Sequence, residues 1–194
     1  DLKNQFKKIL ATEYTAVSTP IQHAAIAGFE ISSEMDEYFK STRKIHQIMG
    51  EYTFNALNEI EGVKATKPEA TFYLLADFNN FLESLEIKKI NTSQRFAESL
   101  IQHPYHTAIV GGDSLVLERT NFSARLAFVD YDGSSTLENF RNNPPKTSSD
   151  RIEFAKVNAP RVASGIQMIE KFLVHIRKSS DMEIQNKQSS LATS

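Results

Sequence analysis

The apolar positions of the chain change period near its first third. Up to about residue 61 they recur at helical spacing. Gln5-Phe6-Lys7-Lys8-Ile9-Leu10 opens an amphipathic helix, and Thr19-Pro20 starts a second that runs through Gly28. Ala24, Ala25, Ala27 and Gly28 in that second helix suit a close, buried helix contact. A third, long helix is expected from Ser33, with Asp36 and Glu37 in its first turn favouring the dipole. Its apolar positions Met35, Tyr38, Phe39, Ile45, Ile48, Met49, Tyr52, Leu57 and Ile60 share one face, and Gly62 ends it.

Beyond Gly62 short apolar runs alternate with short helical patterns. Val63–Ala65, Thr71–Phe78, Thr107–Val110 and Ala124–Val129 read as strands, with Thr71–Phe78 apolar enough for a central, buried place. Asn80–Leu85, Ser93–Gln102, Thr136–Arg141 and Ile152–Ile176 read as helices. Pro160 splits or kinks the last of these. From Ser179 the chain turns polar and reads as a frayed tail. The pattern is that of an α+β chain, a small sheet with packed helices entered through a long linking helix.

Composition narrows the chemistry. The 194 residues carry 22 basic and 24 acidic side chains, so no basic excess points to nucleic acid or an anionic membrane surface. The absence of cysteine removes thiolate catalysis, disulfides and cysteine metal sites. No apolar run approaches the roughly 20 residues that span a bilayer, and a cytoplasmic location is expected. The five histidines (His23, His46, His103, His106 and His175) show no metal spacing on a helix, so no metal site is expected. Ser114 lacks the glycine framing of a hydrolase nucleophile. Asp130-Tyr131-Asp132-Gly133 begins like a calcium loop, but Arg141 occupies the position of the required acid, so it reads as a turn. Neither a dinucleotide nor a triphosphate glycine loop is present.

Arg125 stands out, because it interrupts an apolar strand. Such a charge is exposed on one face, paired, or held for a ligand, and a planar guanidinium suits a carboxylate. Arg119 reads as a hairpin charge.

Several segments, in this order, resemble the class I/II aminotransferases. Ser18-Thr19-Pro20-Ile21-Gln22-His23-Ala24-Ala25 is similar to the helix after that family's cofactor-lysine region, and Ser33 to Glu61 to its domain-linking helix. Pro68-Glu69-Ala70-Thr71-Phe72-Tyr73-Leu74 resembles its "FY" strand. Val110-Gly111-Gly112-Asp113-Ser114 resembles its glycine turn, with Gly111 in place of the usual proline, and Ser123-Ala124-Arg125-Leu126-Ala127-Phe128 resembles its arginine strand.

The resemblance covers roughly residues 1 to 142. It implies an α/β enzyme of pyridoxal-phosphate fold type I, usually a homodimer, acting on amino acids and 2-oxo acids. It implies that Arg125 grips the substrate α-carboxylate. Residues 1–31 would then end the large domain, 32–61 link the lobes, 62–178 form the small domain and 179–194 a flexible tail. The family's Schiff-base lysine motif does not occur here, so the chain is expected to be a C-terminal portion, inactive alone, with no catalytic residue of its own and its pyridoxal phosphate bound in the intact enzyme. Two other readings stay open: a non-catalytic module for dimerisation or partner binding, and a lyase or acyltransferase of the same fold.

Overall fold

A computed structural model describes residues 1–13, 16–30 and 32–192. The boundary expected at Ile31, and Thr193 and Ser194 of the expected tail, lie outside the described residues. The chain divides into two compact units, residues 1–40 and 41–194.

The first unit is helical. Helix α1 spans Leu2–Glu13, α2 spans Thr19–Phe29, and α3 begins at Ser33 and runs to Asn58. Ser32, rather than Ser33, caps α3: its hydroxyl accepts the Met35 N–H at 3.1 Å. The small-residue helix α2 was expected to be buried. It buries no residue, and neither does α1.

The second unit holds a four-stranded antiparallel sheet in the order β1-β2-β4-β3. The strands are β1 (Lys64–Ala65), β2 (Tyr73–Asp77), β3 (Val110–Gly111) and β4 (Ser123–Ala127). Gly62 turns the chain from α3 into β1 with φ +92°, a conformation that disfavours a side chain. Helices α4 (Leu82–Ile87) and α5 (Ser93–Ile101) connect β2 to β3. Helices α6 (Gly133–Asn142), α7 (Ser148–Asn158) and α8 (Pro160–Ala192) follow the sheet. As the sequence predicts, the α7/α8 break falls at Pro160, which cannot donate a backbone hydrogen bond.

Side chains alternate across a strand, and this sheet uses the two faces differently. Leu74 and Ala76 of β2 and Ala124 and Leu126 of β4 point into the core. They join a cluster with Met49 and Leu57 of α3, Phe96 and Leu100 of α5, and Ile169 and Leu173 of α8. The Phe96 ring lies 5.0 Å from that of Phe78, 6.3 Å from Phe122 and 5.7 Å from Phe172. The opposite face carries Tyr73, Leu75, Asp77, Ser123, Arg125 and Ala127. β2 is central, as expected, but it is buried on one face only: Leu75 is 37% exposed.

The expected frayed tail is instead helical. α8 continues past Lys178 to Ala192. Ser180 is buried, its hydroxyl donating to the Ile176 carbonyl at 2.8 Å and facing the Ser84 carbonyl of α4 at 3.3 Å. Glu183 pairs with Lys88. A polar helix is held here by specific polar anchors, which composition does not reveal. Among the described residues no helix is long and apolar enough to cross a membrane.

Candidate functional site: a half-buried strand arginine

Arg125 occupies the middle of β4, between Leu75 on β2 and Val110 on β3. Its neighbours in sequence, Ala124 and Leu126, face the core, so the alternation sends Arg125 to the opposite face. There it is half-buried. Its guanidinium carbon sits 4.3 Å from the centre of the Tyr73 ring. Its Nε is buried and has no hydrogen-bond partner. Among the described residues Arg125 forms no ion pair. An unsatisfied buried N–H costs on the order of 1–3 kcal/mol, and that cost marks Arg125 as the candidate residue. A planar carboxylate matches the fork with two parallel charge-assisted hydrogen bonds.

Polar clusters lock both strands that flank the arginine. At the end of β2, Asp77 Oδ1 accepts from the Asn79 backbone N–H and from its side-chain amide, both at 2.7 Å. Asn79 Oδ1 accepts the Phe122 N–H at 3.0 Å. Asn121 Oδ1 accepts from the Ser123 hydroxyl at 2.7 Å and from the Asn79 amide at 3.3 Å. At the end of β3, the fully buried Ser93 donates its hydroxyl to Asp113 Oδ1 at 3.0 Å and accepts the Asp113 N–H at 3.0 Å. Gly111 approaches Ser93 so closely that a Cβ would lie 2.7 Å from its carbonyl carbon and oxygen. That contact accounts for glycine at this place in the turn.

Sequence reasoning picked out Arg125 and missed this framework. The Asp77-Phe78-Asn79 spacing was a usable signal, because an aspartate accepting the N–H two residues on closes a turn. The remaining candidates lie outside β4. Arg119 is exposed, and its carbonyl accepts the Ser93 N–H at 3.0 Å. The His103 and His106 rings lie 5.6 Å apart, and no described cluster of three or more His, Asp or Glu residues suits a metal ion. Asp130 pairs with Arg161 at 2.8 Å. Asp132 caps α6 by accepting the Ser135 N–H at 2.7 Å, a bond that holds its carboxyl below the usual aspartate range. His46, half-buried with Nδ1 3.3 Å from the Tyr131 hydroxyl, is pushed below the usual histidine value by burial.

Pyridoxal phosphate, which the resemblance implies, requires a lysine in a desolvated or cation-rich pocket. The described residues do not fit that requirement. Every lysine whose side chain is described is exposed except Lys88, which is half-buried and paired with Glu183. Among the described residues no lysine offers the desolvated anchor that the cofactor requires.

Comparison with curated proteins yields no match. The family model "Aminotransferase class I and II" matches residues 1–130, two thirds of the chain, and includes β1 to β4 with Arg125. The chain belongs to the class I and II aminotransferases.

Proposed function

We propose that this chain is the carboxylate-binding, C-terminal part of an aminotransferase that moves an amino group between an amino acid and a 2-oxo acid. The family depends in general on pyridoxal phosphate. In this reading the cofactor's lysine lies on residues other than these 194, and Arg125 holds the substrate α-carboxylate. The observation that carries the proposal is the state of Arg125: half-buried in a strand, set over the Tyr73 ring, and without an ion pair among the described residues. Fixing the carboxylate by two parallel bonds fixes the position of the adjacent Cα and the axis of its bond to the carboxyl carbon. Orientation of this kind lowers the barrier of whatever step follows at that carbon.

The test is a pair of substitutions in the assembled, cofactor-loaded protein. Arg125→Ala removes the fork, and Arg125→Lys keeps the charge but not the bidentate geometry. Arg125→Ala is expected to raise KM for the amino acid by roughly 10²-fold or more, with Arg125→Lys in between. Unchanged KM and kcat in Arg125→Ala would refute the assignment.

The family is often dimeric, and we infer a homodimer here as well. Leu2, Phe6, Ile9 and Leu10 of α1 and Ile21, Ile26 and Phe29 of α2 are all exposed, which supports association. Light scattering of the assembled protein tests this, and a monomer at working concentration would contradict it.

A further inference from the structure

The register of β2 and β4 gives Arg125 two diagonal neighbours of opposite character. The Phe128 N–H donates to the Phe72 carbonyl at 3.1 Å, and the Phe78 N–H donates to the Phe122 carbonyl at 2.9 Å. These bonds mark the hydrogen-bonded positions of the ladder. Tyr73/Ala127, Leu75/Arg125 and Asp77/Ser123 are therefore the non-hydrogen-bonded pairs, in which facing side chains stand closest. Arg125 lies opposite Leu75, with Tyr73 on one diagonal and Asp77 on the other. A long side chain reaches either diagonal.

The two choices have different consequences. An ion pair with Asp77 would fill the guanidinium fork with a carboxylate of the chain's own. Contact with the Tyr73 ring on the other diagonal leaves the guanidinium without an ion pair among the described residues. The structure shows the second arrangement, with the guanidinium carbon 4.3 Å from the Tyr73 centroid. The Phe72 ring lies 4.3 Å from the Tyr73 ring between centroids, at a tilt of 44°. Asp77 is meanwhile engaged, its Oδ1 accepting both N–H groups of Asn79.

We propose that Tyr73 is a positioning residue that holds the Arg125 guanidinium open for a substrate carboxylate and away from Asp77. The proposal rests on the reading of Arg125 as the carboxylate-binding residue. Without the ring, Arg125 swings to the other diagonal, and an incoming carboxylate must displace Asp77 before it binds. The penalty then falls on KM, while kcat, set after the substrate is seated, stays where it was. Asn79 supports the same outcome by occupying Asp77.

The test uses four forms of the full chain: the natural one, Tyr73→Phe, Tyr73→Leu, and Tyr73→Leu with Asp77→Asn. The Arg125 Nε–H resonance, assigned by its loss in Arg125→Lys, reports the stacking directly. It is expected upfield in the natural chain and in Tyr73→Phe, and downfield in Tyr73→Leu. Adding Asp77→Asn is expected to move it again, because the competing ion pair is gone. In the cofactor-loaded protein, Tyr73→Leu is expected to raise KM for the amino acid roughly 3- to 30-fold. Tyr73→Phe is expected to keep the natural KM, and Asp77→Asn to restore most of the loss in Tyr73→Leu. An Arg125 resonance and KM that ignore Tyr73→Leu would overturn the proposal. So would a Tyr73→Leu defect that Asp77→Asn does not relieve. If the resonances behave as expected while Arg125→Ala leaves KM unchanged, the substrate assignment alone fails and the competition between Tyr73 and Asp77 stands.

Discussion

The Phe172 ring of α8 packs 5.7 Å from the Phe96 ring of α5, at a tilt of 53°. Phe96 belongs to the segment that matches the family, and Phe172 lies well beyond residue 130. Both are buried. The C-terminal helix thus completes the core beneath the sheet that carries Arg125. Truncation of a buried aromatic leaves a cavity as well as losing its transfer energy. Phe172→Ala is expected to destabilise the chain by about 3–5 kcal/mol. Urea unfolding followed by circular dichroism checks this, and a loss below about 1 kcal/mol would show that α8 is peripheral.

A second expectation concerns the turn beside Arg125. A methyl group at position 111 would meet the Ser93 backbone, which has no flexible end to move aside. Relief requires β3 or the start of α5 to shift, and Val110 of β3 pairs directly with Arg125. Gly111→Ala is expected to cost about 1–3 kcal/mol, the usual range for overpacking. The same unfolding measurement tests it. A variant as stable as the natural chain would mean that the turn yields freely.

The third concerns pH. Burial favours the neutral form of His46, so the folded chain binds its proton less readily than the unfolded chain does. The contribution of His46 to stability is therefore full above its ordinary value of 6.5. It declines as pH falls from there toward the lower folded value, and levels off below it. His46→Gln should remove this component of the pH dependence. An NMR titration of the His46 ring is expected to give a midpoint below 6.5. A midpoint at or above that value would contradict the assignment.

Much of the second unit was legible because its elements obey simple periods. The Thr71–Phe78 run announces β2, Pro160 announces the α7/α8 break, and Arg125 announces itself by interrupting an apolar strand. The misreadings share a cause. Composition made residues after Ser179 look like a tail, but Ser180 and Glu183 find partners on and next to α4. Leu75 looked buried because it sits in an apolar run, while the strand has one open face. The Asp77–Asn79–Asn121–Ser123 network joins residues more than forty positions apart, and no local period encodes it.

The central claim is that Arg125 recognises the α-carboxylate, and substrate discrimination tests it most directly. The measurement compares kcat/KM for an amino acid with kcat/KM for the amine that lacks only its carboxylate, in the natural protein and in Arg125→Ala. The natural protein is expected to favour the amino acid strongly. Arg125→Ala is expected to lose roughly 10²-fold or more of that preference while its activity on the amine stays the same. An unchanged preference, or an equal loss on both compounds, would contradict the claim.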